Sequence, residues 1–248
     1  MSTLIQCQNV TKRYGNTVAL NNVSFAVESG HIVGLLGPNG SGKTTFIKLL
    51  TGLLVQEQGQ VLVDGQEIGV HSKSIISYLP DINYLDMSKT VDQIVKTFAL
   101  FYSDFDVNRA YDMFNRLCIE TKKPLKHLSK GTKEKVQLVL VMSRRAKLYI
   151  LDEPIAGVDP AARDFILKVI LDNYDPEATI LISTHLIADI ETVLDQVIFI
   201  NNSYIVGQMT VDEIREKNGM SVDAYFRENF KFSDPAMRAF MEDGKGEN

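Results

Sequence analysis

Short apolar runs alternate along this chain with stretches whose apolar residues recur at helical spacing, the pattern of buried strands interleaved with amphipathic helices. Leu4 to Val10 and Val18 to Val27 alternate well enough to predict two strands, with a turn around Tyr14, Gly15 and Asn16 between them. The run Ile32, Val33, Gly34, Leu35, Leu36 predicts a buried strand. The helix after it carries Phe46, Ile47, Leu49, Leu50, Leu53 and Leu54 on its apolar side. Gln60 to Val63 and Gln66 to Ile68 flank Asp64-Gly65, the signature of a hairpin, and Ile75 to Leu79 is a further strand stopped by Pro80.

Beyond Pro80 the period turns helical. Thr90 and Gln93 form a capping box, and Val91, Ile94, Val95, Phe98, Phe101 and Tyr102 are expected on one face. A second helix carries Tyr111, Phe114, Leu117 and Cys118. A third, with Val136, Val139 and Leu140, ends in Arg144, Arg145 and Lys147, a polarity that suits the helix dipole. Leu148 to Leu151 and Thr179 to Ser183 predict two more buried strands, and Val197 to Ile200 with Ser203 to Val206 a hairpin around Asn201-Asn202. Thr210 with Glu213 caps a helix, Val222 to Phe230 reads as another, and Asp243 to Asn248 is expected to fray.

Composition narrows the possibilities without naming a function. With 248 residues, 45% hydrophobic and 23% charged, the chain is long enough for a sizeable core. Its net charge of −5, from 31 acidic and 26 basic residues, gives nucleic-acid binding no support from bulk electrostatics. No apolar run reaches the roughly 18 residues of a membrane span, and MSTLIQCQNV lacks a signal pattern, so an intracellular chain, soluble by itself, is expected. Cys7 and Cys118 are expected to be buried thiols, and His31, His71, His127 and His185 have no metal-ligand spacing.

The candidate chemistry starts at GPNGSGKTT, Gly37 to Thr45, which fits the P-loop pattern with Gly37, Gly42, Lys43 and Thr44 in the required places. Gly37, Gly40 and Gly42, with Pro38, Asn39 and Ser41 between them, let backbone N–H groups approach phosphate oxygens. Thr44 and Thr45 open a helix whose positive end faces the same anion. Lys43 adds a full charge, and the Thr44 hydroxyl suits Mg²⁺. Asp152 and Glu153 end an apolar strand, where buried carboxylates are costly. Asp152 would complete the Mg²⁺ shell and Glu153 would orient or deprotonate an attacking water. His185 ends the next strand at the same sheet edge, within reach of a γ-phosphate. Tyr14, beside the phosphate loop, either stacks on a purine or packs on its own hairpin.

In order, Tyr14, GPNGSGKTT, LSKGT, YILDEP, AGVDP and STH resemble the nucleotide-binding subunit of an ATP-binding cassette (ABC) transporter over nearly the whole chain. The resemblance implies an α/β P-loop NTPase (RecA-like) core with an antiparallel β lobe and a helical lobe at about 82–145. One domain would span 1–220, with a C-terminal helical extension at 221–248. It also implies a head-to-tail dimer, of like or related chains, holding two ATP molecules. Each would lie on one P-loop under the other subunit's signature, including Ser129, Lys130 and Gly131. Asp159 would lie at that interface, His185 would contact the γ-phosphate, and a separately encoded membrane permease would hold the chain at the cytoplasmic face of the membrane, with export favoured over import.

Two positions depart from the family's pattern. Lys130 and Thr132 replace the first glycine and the glutamine of LSGGQ, and Asp81 of YLPD stands where the family's Mg²⁺-linking glutamine aligns. A carboxylate there still ligates Mg²⁺, but it adds negative charge near the γ-phosphate. A soluble relative acting on ribosomes or DNA would be expected to carry two cassettes or a coiled-coil insertion. A non-hydrolysing dimerisation switch would lack turnover, and a GTPase would carry N-K-x-D, which does not occur.

Overall fold

The computed structural model describes residues 2–156, 158, 160–172 and 174–230, with backbone alone at 160–162 and 165. The chain opens with β1 (Thr3–Tyr14), β2 (Thr17–Glu28) and β3 (Ile32–Leu36), followed by β4 (Gln58–Val63) and β5 (Gln66–Glu67). All but β3 join an antiparallel sheet ordered β2-β1-β4-β5. Asp64 and Gly65 both have positive φ, 53° and 72°, as a tight two-residue hairpin turn requires.

The second sheet adds β6 (Ile76–Leu79), β7 (Leu148–Asp152), β8 (Thr179–Thr184), β9 (Gln196–Asn201) and β10 (Tyr204–Thr210) to β3. Its order is β10-β9-β3-β8-β7-β6, parallel except for the β10 edge. The central strands are buried at every position because both faces are covered. Strand alternation divides them between two cores. Val33, Leu35, Leu148, Ile150 and Leu181 face the antiparallel sheet and the helix after the P-loop, whereas Leu36, Tyr149, Leu151, Ile180 and Ile182 face the other helices.

The helices of the described residues are α1 (Lys43–Leu50), which follows the P-loop, α2 (Val70–Ile75), α3 (Val91–Phe101), α4 (Val107–Arg116), α5 (Lys130–Met142), α6 (Pro160–Asp172), α7 (Ile187–Ile190), α8 (Val211–Asn218) and α9 (Val222–Phe230). α3, α4 and α5 pack on one another as the helical lobe. α9 lays Tyr225, Phe226 and Phe230 on Phe199 of β9, with ring centroids 5.5 to 6.2 Å apart.

Several sequence expectations shift. α1 ends at Leu50, with Gly52 at φ 68° just past it, so Leu53 is exposed rather than on a helical face. α3 has the expected capping box and buries Val91, Ile94 and Val95, but Phe101 is 75% exposed and Tyr102 is the C-cap. Cys118 is no buried helical thiol. α4 stops at Arg116, and Cys118 follows it with φ 52°, exposed, while Cys7 is buried as expected, its pKa pushed up to about 12 by burial. Arg144 and Arg145 lie beyond the C-cap Ser143, so they serve ion pairs rather than the α5 dipole. Ile75 ends α2, Tyr14 ends β1 opposite Thr17, and the last hairpin turns at Asn202-Ser203, both at positive φ. Helices α2, α6 and α7 were not anticipated. Asp159 and the segment Asp243 to Asn248 lie outside the described residues.

Candidate functional site

Strands β3, β6, β7 and β8 all end at one edge of the parallel sheet, and this register brings the chemistry together. The P-loop turns off β3. A Cβ on Gly37 would lie 2.2 Å from the Ile200 carbonyl oxygen, and one on Gly42, at φ 115°, would lie 2.5 Å from that of Ala19. These two glycines therefore seat the loop against β9 and β2. Gly40, at φ 77°, opens onto free space and supplies the turn itself.

Lys43 is buried, and its ammonium donates to the carbonyl oxygens of Gly37 at 2.7 Å and Pro38 at 3.1 Å. Burial lowers its pKa, against the opposing pull of Glu153 and Asp152. Thr44, half-buried, follows in the first turn of α1, which carries no acidic residue to compete with an anion at its positive end. Asn39 is exposed at the loop tip.

Asp152 is buried at the end of β7, opposite Ser183 of β8, whose hydroxyl donates to Asp152 Oδ1. Its other oxygen, Oδ2, and Ser41 Oγ are the two buried side-chain polar atoms left without a hydrogen bond among the described residues. Burial raises the Asp152 pKa. The Ser183 hydrogen bond opposes this, Asp81 and Glu153 add to it, and Lys43 again opposes. Glu153 has φ 51°, an uncommon conformation for a residue with a side chain. Its N–H donates to the Ser183 carbonyl at 2.9 Å. Its Oε2 accepts from the Thr184 hydroxyl at 3.1 Å and lies 3.0 Å from His185 Nδ1. Strain of this kind persists where surrounding bonds impose it, and two of those bonds come from β8.

Asn39, Asp81, Asp152, Glu153 and His185 line a cleft of about 430 Å³, closed on its far wall by Lys130, Glu134 and Gln137 of α5. Ser129 is the N-cap of α5. Its Oγ accepts from the Thr132 N–H at 3.2 Å and lies 2.8 Å from the Thr132 hydroxyl, so the threonine in the signature's last place holds the serine hydroxyl; Gly131 follows in the first turn. Tyr14 is 49% exposed, with the Lys12 ammonium over its ring, 5.9 Å from the centroid.

Reading residues alone missed Ser183 and Thr184. Their polarity at the end of an otherwise apolar strand was the available signal, and they hold Asp152 and Glu153. No group of three or more His, Cys, Asp or Glu placed to hold a metal occurs among the described residues. The orphaned Asp152 oxygen nevertheless suits Mg²⁺, which takes one or two carboxylates and leaves the remainder to phosphate and water.

A phosphate loop on one strand, and a buried aspartate followed by a constrained glutamate on the next strand but one, define a P-loop nucleoside triphosphatase. Comparison with known proteins then gives the family. The sequence profile described as ABC transporter matches residues 20–156, and the chain belongs to that family. It is an ATP-binding subunit of an ABC transporter and an ATPase. It is 34% identical over 217 residues to the ABC transporter ATP-binding protein YtrB of Bacillus subtilis, covering 86% of this chain and 74% of that one. It is 32% identical over 220 residues to the SkfA peptide export ATP-binding protein SkfE of the same organism, covering 86% and 92%. A solved ATP-binding subunit of an ABC transporter superposes with a TM-score of 0.82 at 29% identity, covering 91% of this chain and 99% of that one. No helix among the described residues is long and apolar enough to cross a membrane.

Proposed function

We propose that the cleft binds Mg²⁺ and ATP and hydrolyses the γ-phosphate by in-line attack of water. The observation that carries this reading is the Glu153 carboxylate, held at one oxygen by Thr184 and His185 beside the orphaned oxygen of Asp152. Thr44, Asp152 and Asp81 would hold the metal, which supplies charge neutralisation across the phosphates. The amides of Gly37 to Thr45 and the Lys43 ammonium bind the phosphates, and Tyr14 stacks on the base. Glu153 orients or deprotonates the water. His185, with Nδ1 engaged by Glu153, keeps Nε2 for the γ-phosphate. Because phosphoryl transfer needs little covalent help, positioning and charge supply most of the effect.

In this reading two chains, identical or related, assemble head to tail, and Ser129, Lys130 and Gly131 of one cover the nucleotide on the other. Asp159 would belong to the same interface. Binding closes the pair and hydrolysis reopens it. A membrane permease uses that motion, docking on the groove lined by Leu53, Tyr78, Pro80, Ile82, Tyr84 and Tyr102, which runs past Asp81 and is rich in exposed apolar surface. The chain would then be peripheral at the cytoplasmic face. The relatives named for peptide export and lantibiotic transport favour export. The cassette would span 1–220 with its helical lobe at 82–145, and 221–248 would form an extension anchored through α9.

Glu153→Gln tests the assignment. Turnover should fall to background while the Kd for Mg-ATP stays within about threefold of wild type, since the amide keeps the shape and loses only the base. Undiminished hydrolysis by this variant would remove Glu153 from its role.

A further inference from the structure

Arg163 stands in the first turn of α6, where the helix dipole opposes a cation, so its charge needs partners from elsewhere. The side chain joins two segments outside its own helix. Its Nε donates to the Val158 carbonyl oxygen at 2.9 Å, and its Nη1 donates to Asp189 Oδ2 of α7 at 2.7 Å. A guanidinium suits this use, because its planar fork fixes both donors at once. At 22% exposure the side chain is also shielded from much of the competing solvent.

Both ends of this link lead back to the candidate site. Val158 belongs to the loop that leaves Glu153, where the Ala156 N–H donates to the Glu153 carbonyl at 3.2 Å and the Val158 N–H to that of Ile155 at 3.4 Å. Asp189 lies one helical turn beyond His185, in a helix of four residues. A helix that short is not held by its own hydrogen bonds. Buried Ile187 and Ile190 seat it, the Leu186 N–H donates to Thr184 Oγ1 at 3.0 Å before it, and Glu191 after it accepts from the Asp223 N–H of α9 at 3.0 Å. Asp189 adds the tie to Arg163. Because Glu153 and His185 meet at 3.0 Å, the contacts close a ring that runs from Glu153 along the loop to Val158, through Arg163 to Asp189, and back through His185.

We propose that Arg163 is a positioning residue for hydrolysis, carrying the placement of the loop at Val158 to His185, so that the histidine is set for the γ-phosphate when a second chain engages the neighbouring Asp159. This rests on the reading of the ATP site and of the head-to-tail pair given above. Arg163 itself touches no nucleotide. Without the link ATP still binds and the pair still forms, but the histidine no longer follows the loop and turnover falls.

The test compares Arg163→Met, which keeps the stem and removes both donors, with Asp189→Ala and with the double variant. Each single variant should lower kcat per folded chain about tenfold while KM for Mg-ATP stays within about twofold, the split expected when only transition-state positioning is lost. The double variant should lose no more than either single one, because both cut the same link, whereas independent packing defects would multiply to about a hundredfold. Placed in the Glu153→Gln background, both substitutions should leave sedimentation as a pair with Mg-ATP intact. Should Arg163→Met fail to fold, Asp189→Ala reads the same link by itself. An undiminished kcat in either variant would overturn the proposal. So would multiplying losses, which mark separate packing defects, or loss of pairing, which would assign the contact to the interface alone. Glu153→Gln protein that stays single with Mg-ATP while Arg163 is intact would remove the reading beneath; pairing that persists beside an undiminished kcat would remove this inference only.

Discussion

Asp152 stores the site's charge imbalance in one residue. Its carboxylate is buried with one oxygen unpaired, and its pKa is raised above the ordinary range chiefly by that burial. A raised carboxylate pKa means that the folded chain holds a proton which the unfolded chain has released. Stability from this group is therefore full below the ordinary carboxylate pKa and is lost as pH rises through the folded value. Asp152→Asn keeps an oxygen for the Ser183 hydroxyl and removes the charge. In metal-free buffer the variant should melt higher than wild type near about pH 7, with the gap closing toward about pH 4. Equal melting temperatures across that range would show that Asp152 carries no such penalty. At this scale the sequence named candidates wherever a residue type had one chemical use. Lys43, Thr44, Asp152 and Glu153 could be named from spacing alone, and all stand at one sheet edge. Ser183 and Thr184 could not, because hydroxyls at a strand end look the same whether they hold a neighbouring carboxylate or only end the strand. Nor did spacing reveal that Thr132 holds the Ser129 hydroxyl.

Among the elements, one buried cation helps tie the helical lobe to the parallel sheet. Arg144, just past α5, makes a two-pronged ion pair with Asp104, donates to the carbonyls of Ile76 and Ser74, and lies 4.1 Å from the Tyr102 ring centroid. Asp104 and Tyr102 belong to the lobe and Ile76 to β6, so this side chain joins the two and also lines the apolar groove. Arg144→Ala should cost about 3–5 kcal/mol of stability in chemical denaturation, since it strands Asp104 and two carbonyls. A loss below about 1 kcal/mol would mean that the lobe is held elsewhere. The sequence offered Arg144 as a complement to the helix dipole, because a basic cluster after an apolar helix reads that way by default. Only the tertiary approach of Asp104 and β6 shows its use. Strands, capping boxes and the Asp64-Gly65 turn were legible because they depend on local chemistry. The short helix α2 and the ends of α1 and α3 were not; at those two ends apolar residues, Leu53 and Tyr102, continue the helical period past the point where the backbone turns away.

For the whole molecule, the membership that sequence motifs implied is matched by the family profile and by the superposed ATP-binding subunit. The cleft of the candidate site and the apolar groove meet at Pro80 and Asp81, which line both. If that groove receives the permease, Tyr84→Glu should abolish copurification with the membrane subunit while leaving the Kd for Mg-ATP unchanged within about twofold, because a charge placed in a buried apolar interface is costly. Retained copurification would place the permease elsewhere.

The central claim is that a second chain completes the site by laying its Ser129 turn over the bound nucleotide. Sedimentation of Glu153→Gln, alone and mixed with any related ATPase that copurifies with it, measures this most directly. With Mg-ATP the protein should sediment as a pair, and Ser129→Glu, which sets a negative charge against the γ-phosphate, should return it to single chains. A protein saturated with Mg-ATP that sediments as one chain under all these conditions would contradict the account.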